Sequence, residues 1–93
     1  MPVNIRRLVV DSLKPRESSI LELSKTLCEV RGVEEVDINV TEVDAKTETV
    51  KVIIRGINID FDGIRKSLEE HGSSIRSVDE INVRKTKTKS RRL

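Results

Sequence analysis

The chain has 93 residues, 18 of them Lys or Arg and 16 Asp or Glu. The near balance conceals an asymmetry: residues 1–83 hold 12 basic and all 16 acidic side chains, a net −4, while residues 84–93 hold six basic and no acidic ones, a net +6. Such a length supports one domain, burying roughly two-thirds of the surface that the unfolded chain exposes, and leaves no room for a separate catalytic domain. No apolar run approaches the ~18 residues that a membrane span needs, and no charged-then-apolar leader opens the chain, so a cytoplasmic protein without membrane partners is expected. A single cysteine, Cys28, excludes an intrachain disulfide framework. The apolar stock is 10 Ile, 12 Val and 7 Leu against one Phe and no Tyr or Trp, and its predominance of β-branched residues favours a large sheet content.

Ile5 to Leu13 reads as a strand with apolar residues on both faces, Leu8 and Val10 on one, Val9 and Leu13 on the other, which suits a central strand. Lys14-Pro15 ends it, because proline has no N–H to donate. Ser19-Ile20-Leu21-Glu22 then has the spacing of a capping box, in which a hydroxyl and a carboxylate satisfy the free N–H groups at a helix start. The spacing predicts a helix from Ile20 to about Arg31, with Ile20, Leu23 and Leu27 in one stripe, Val30 near its edge, and Glu22, Lys25 and Glu29 towards water. Gly32 is its expected left-handed stop.

Val36, Ile38 and Val40 alternate with polar residues, and after Asp44-Ala45-Lys46-Thr47 a second alternation begins with Val50, Val52 and Ile54, the pattern of a β-hairpin. Val43 is out of step with Val40, which predicts a bulge near Thr41-Glu42 or the end of the core-facing stretch. Asp60 is the next expected N-cap, flanked by Ile59 and Ile64 at staple positions, and opens a helix presenting Phe61, Ile64 and Leu68 up to about His71, closed by Gly72. Ile75 to Val83 makes a last strand, again one residue out of period between Val78 and Ile81. The expected fold class is α+β: a ferredoxin-like βαββαβ plait over residues 1–84, with a four-stranded antiparallel sheet in the order 4-1-3-2 and two helices on one face. The basic residues 85–93 have no apolar periodicity and are expected to be disordered.

Arg6 to Pro15, Val43-Asp44 before Thr47 to Val52, Gly56 to Asp60, and Ile75 to Glu80 are similar to the archaeal domain-of-unknown-function family 211. The resemblance covers roughly residues 4–83 in order and nearly without gaps, with the basic run beyond it. It implies the plait fold, an archaeal cytoplasmic origin and multimers, and it implies no reaction.

The sharpest local spacing is Asn58-Ile59-Asp60-Phe61-Asp62-Gly63 with Glu69 six positions beyond the glycine, which matches a calcium loop except that Asn58 replaces the leading Asp. A calcium loop stays irregular up to its glutamate, whereas the cap and staple start a helix at Phe61. The capped helix is therefore preferred, with Asp60 and Asp62 kept as candidate contacts for a divalent ion, Ca2+ or Mg2+, completed by another subunit; no other cofactor is called for. Cys28 is expected to be a small buried hydrophobe. His71 is expected to cap its helix, and Ser18 and Ser19 to act as cap residues, with no base nominated for either hydroxyl. The loop Lys14-Pro15-Arg16-Glu17-Ser18-Ser19 has neither the Cys-x-x-Cys of a heavy-metal carrier nor the glycine-rich cradle of an acylphosphatase.

Two partner readings remain. The helix-free sheet face should carry Val9, Leu13 and Ile53 beside Arg7, Asp11, Lys51 and Arg55, an apolar mixture suited to association between copies, so a non-enzymatic homo-oligomer is the leading expectation. The alternative is sequence-independent nucleic-acid binding through Arg84, Lys85, Lys87, Lys89, Arg91 and Arg92. Base stacking is disfavoured, because the only aromatic, Phe61, belongs to a helix core.

Overall fold

The computed structural model describes residues 2–86. The elements follow as β1 (Val3–Pro15), α1 (Ile20–Cys28), β2 (Val33–Val43), β3 (Thr47–Gly56), α2 (Phe61–Glu70) and β4 (Ser74–Lys85). The strands form one antiparallel sheet in the order β2-β3-β1-β4, so the fold is the ferredoxin-like βαββαβ plait. β1 and β3 lie at the centre, β2 and β4 at the edges. The core lies between the sheet and the helices: Leu8, Val10, Val50, Val52 and Ile54 from the central strands meet Leu23 and Leu27 of α1 and Ile64 and Leu68 of α2, all fully buried. Burying each of these side chains contributes about 1.5–3 kcal/mol before the entropy of ordering it is subtracted.

Each helix begins where its sequence signal lies, but the two caps differ. Ser19 Oγ accepts from the N–H groups of Leu21 and Glu22 at 3.1 and 3.3 Å, which is the hydroxyl half of the capping box. Asp60 occupies the N-cap position of α2 without a side-chain cap hydrogen bond. The chain there is held instead by the buried Ile59 and Ile64 of the staple and by Asp60 N–H donating to the Arg31 carbonyl at 3.1 Å. α1 stops at Cys28, three residues short of the predicted end, and the chain unwinds through Glu29 and Val30 before Gly32 at φ +86°. Glycine is required at Gly32 twice over, since a Cβ there would also lie 2.1 Å from the Asn58 carbonyl oxygen. Gly56 meets it from the other side, where a Cβ would lie 1.9 Å from the Gly32 carbonyl oxygen, and this close approach lets Ile57 N–H donate to that carbonyl at 2.9 Å.

The sequence irregularities are bulges. Thr41 is the extra residue between the pairs Val40–Val50 and Glu42–Thr49, and Asp79 is the extra residue between Glu80–Val9 and Val78–Val10. Three more carry no periodicity signal: Glu34 in β2 between Val33–Gly56 and Glu35–Arg55, Arg76 in β4, and Arg6 in β1 between Ile5–Val83 and Arg7–Asn82. β4 runs two residues past the predicted Val83, so Arg84 and Lys85 belong to a strand, paired with Asn4 and Val3. The rest of the expected disordered segment, from residue 87, lies outside the described residues.

Candidate functional site

The candidate ion contacts come first. Asp60 and Asp62 line one depression of about 360 Å3 together with Arg31, Asn58, Ile59 and Phe61, so the structure does bring the two carboxylates to one place. It does not bring Glu69 there. α2 is helical from Phe61, and Glu69 faces Arg65 at 3.4 Å, with Asp62 on the same guanidinium at 3.5 Å. The calcium-loop spacing is thus the start of a helix, and the Arg31 side chain adds a positive charge to the same depression.

The residues considered for chemistry are engaged structurally. Ser19 caps α1, and the Ser18 carbonyl accepts from the Lys14 ammonium. His71 is the C-cap residue of α2, and its Nδ1 stands 3.0 Å from the Ser67 carbonyl. A carbonyl can only accept, so Nδ1 carries the proton in this arrangement. Cys28 departs from expectation: it is exposed, not buried. Leu27 takes the core position, and one residue further round the helix the thiol leaves the packed stripe, lying 4.0 Å from the Glu34 carbonyl.

The helix-free face has the composition expected, since the register pairs Val9 with Ile53, Asp11 with Lys51 and Arg7 with Arg55. Its apolar content is less available than alternation suggests. Val9 is 4% exposed and Leu13 and Ile53 are half-buried. Charged pairs stand around them: Arg7 to Glu80 at 3.1 Å, and Arg55 to Asp37 at 3.2 Å and Glu35 at 3.6 Å. Exposed apolar side chains occur elsewhere: Val3, Leu21, Val40, Val43 and Ile57 lie outside β4, whereas β4 carries three, Val78, Ile81 and Val83, which are 47–53% exposed. They are register partners of Val10, Leu8 and Ile5, so they continue the core-facing row of the sheet past the cover of the helices.

The sequence places Lys14 at a strand end and in the loop that follows, yet among the described residues it is the largest fully buried side chain, 1% exposed. Its ammonium donates to the carbonyls of Pro15 and Ser18 and pairs with Glu48 at 2.7 Å. Those three partners use all its donors. The signal was available in the parity of β1: Leu8, Val10, Ser12 and Lys14 share one face, and Ser12 is equally buried, donating to the Ser74 carbonyl at 2.8 Å. Beside Lys14 lies a cleft of about 320 Å3 between the β1–α1 turn, the β2–β3 hairpin and the Gly72–Ser74 turn. Arg16 and Lys46 stand on its rim with Glu17, and Lys14 is paired to Glu48.

At the opposite end of the sheet, Arg84 and Lys85 of the expected basic segment are placed beside Arg6. With Asn4 and Thr86 these three line a depression of about 660 Å3. Arg6 was not singled out from the sequence, because its neighbourhood with Arg84 arises only from the pairing of the first strand with the last.

The geometry is that of a small ferredoxin-like plait in which Ser19 and His71 serve helix ends, while Ser18, expected as a cap, contributes only its backbone carbonyl to Lys14. Comparison places the chain within that class: residues 6–91 match the family model DUF211, described as uncharacterized ArCR, and the chain belongs to this family. It is also 44% identical over 77 residues, covering 83% of this chain and 79% of the relative, to an uncharacterized protein of the archaeon Methanocaldococcus jannaschii. The family match reaches residue 91, so the basic run is part of the matched region and does not lie beyond it as the resemblance had suggested. Among the described residues, no helix is long and apolar enough to cross a membrane.

Proposed function

We propose that this protein is a non-enzymatic homo-oligomer whose copies associate through the edge of the sheet formed by β4. The observation that carries the reading is the row Val78, Ile81 and Val83, about half exposed on a strand that is hydrogen-bonded on one side only. Three branched aliphatic side chains in one row on an edge form a patch of the kind that association covers. The bulges at Asp79 and Arg76 interrupt the regular ladder of this strand, which favours side-chain packing against a second copy over simple addition of a strand. The absence of a reaction is supported by the positions of the candidate groups, since Ser19 and His71 serve helix ends and the Lys14 ammonium is saturated by its own chain. On this reading a small ligand or a divalent ion is held between copies, because the Asp60–Asp62 depression supplies only two carboxylates of its own.

Sedimentation tests it. The wild-type chain is expected to sediment as a multimer at micromolar concentration, and Ile81→Lys, which sets a charge in the middle of the patch, to sediment as a monomer with an unchanged circular dichroism spectrum. A wild-type monomer under these conditions would overturn the proposal.

A further inference from the structure

The depression at the Arg6 end of the sheet is built differently from every other concavity described above. Of its five lining residues, Arg6, Arg84 and Lys85 are cationic, Asn4 and Thr86 are neutral donors and acceptors, and none is acidic. The two depressions described above that hold cations are mixed: Glu17 stands with Arg16 and Lys46, and Asp60 and Asp62 stand with Arg31. Among the described residues, none of the three cations at this end enters an ion pair.

The backbone also aims these groups. Arg6 is the bulged residue of β1, and a bulge re-aims the side chain it carries out of the regular alternation. Its Nε–H donates to the Gly56 carbonyl at 3.0 Å, which fixes the guanidinium and leaves its two terminal nitrogens for a further acceptor. Arg84 is the cross-strand partner of Asn4, whose amide donates to Thr86 Oγ1 at 3.0 Å, and Thr86 N–H donates to the Pro2 carbonyl at 3.1 Å. The three cations therefore sit on paired strand ends tied across the β1–β4 edge.

From this placement we propose that the Arg6–Arg84–Lys85 depression is a phosphate-binding site for the backbone of a nucleic-acid strand, read without regard to base. Arg6 and Arg84 supply guanidinium groups, which take phosphate oxygens by paired N–H bonds, and Lys85, turned by strand alternation to the other face of β4, adds positive charge at the same strand end. An extended polyanion is favoured over a single small anion because the sequence continues from Thr86 with Lys87, Lys89, Arg91 and Arg92, four more positive charges on the same chain. Base-independent binding follows from the composition, since the chain has one aromatic residue, Phe61, and it packs against the core. The site uses residues of the folded sheet and is independent of association through Val78, Ile81 and Val83.

The experiment compares two charge-matched double variants of the full chain, Arg84→Gln/Lys85→Gln and Lys87→Gln/Lys89→Gln, for binding a fluorescent oligouridylate at low salt, with inorganic tripolyphosphate as competitor. Wild type is expected to bind with affinity falling linearly on a log–log salt plot, at a slope of about −0.7 per phosphate contacted. Losing the two cations of the depression should weaken binding by at least about tenfold and flatten that slope, while losing the two beyond it should cost less than about threefold. Arg6→Gln should weaken binding in the same direction, and it carries the comparison if the Arg84/Lys85 variant does not fold. Equal losses from the two double variants, or no binding of the oligonucleotide by wild type, would overturn the proposal; tripolyphosphate bound without the oligonucleotide would refute its assignment to a strand.

Discussion

β1 carries a basic residue near each end, Arg6 and Lys14, and the molecule uses them in opposite ways. Lys14 points into the helix-covered face, is 1% exposed, and spends its whole donor capacity on Pro15, Ser18 and Glu48. Arg6 is displaced by a bulge, is half-buried, and stands beside two more cations with no carboxylate lining their depression. One cation is a fastener and the other is presented. Formal charge counts them alike, and the distinction comes from what the neighbouring strands bring to each end: β3 brings Glu48 opposite Lys14, and β4 brings Arg84 and Lys85 alongside Arg6.

The contrast can be broken at the Lys14 end first. Glu48→Gln leaves a buried ammonium without its counter-charge, and removing one partner of such a pair costs about 3 kcal/mol, measurable as a lowered urea midpoint at unchanged slope. The backbone that supports the Arg6 end is the next most sensitive point. Gly56→Ala drives a Cβ into the Gly32 carbonyl and displaces the Gly56 carbonyl that holds Arg6, so a loss of about 2 kcal/mol is expected in the same denaturation. Arg6→Gln itself removes one hydrogen bond from a half-buried side chain and relieves repulsion among three cations, and its effect on stability should stay within about 1 kcal/mol although it weakens anion binding. Smallest of all, Glu80→Gln breaks the Arg7–Glu80 pair on the open sheet face, where 30% and 57% of the two side chains are exposed. A change below about 0.5 kcal/mol, vanishing in high salt, is expected there. A Glu48→Gln effect as small as that of Glu80→Gln would erase the distinction between fastened and presented charge.

Much of the scaffold could be read in the residue pattern because its causes are local. The stripe Ile20, Leu23 and Leu27, the Ser19 cap, the staple positions Ile59 and Ile64, and the left-handed glycines Gly32 and Gly72 are each announced by residues within a few positions of one another. The bulge at Thr41 and that at Asp79 were visible as slips in a period of two. Cys28 was misjudged because the limit of a buried stripe depends on how far the facing surface extends, and a helical wheel carries no such information. The oligomer face named by Val9, Leu13 and Ile53 has the right residues in register, but their exposure is reduced in a sheet ringed by Arg7–Glu80 and Arg55–Asp37 pairs. The exposed apolar row on β4 could not be separated from core by periodicity, since Val78 and Ile81 share a face with Val10 and Leu8, which are buried.

By itself the sequence determined the element order, the handed plait that this order permits, and the family to which the chain belongs. These follow from short-range spacing, and two β-α-β units joined by a hairpin have few ways to pair. Only the tertiary structure decided which charges are available. Lys14 and Glu48 are 34 positions apart, and Arg6 and Arg84 are 78 apart, and in each case strand pairing sets the distance. The energy of a charge depends on what surrounds it within a few ångströms and on its access to water. That environment belongs to the folded sheet, which buries one end of β1 against a carboxylate and leaves the other end facing outward among cations.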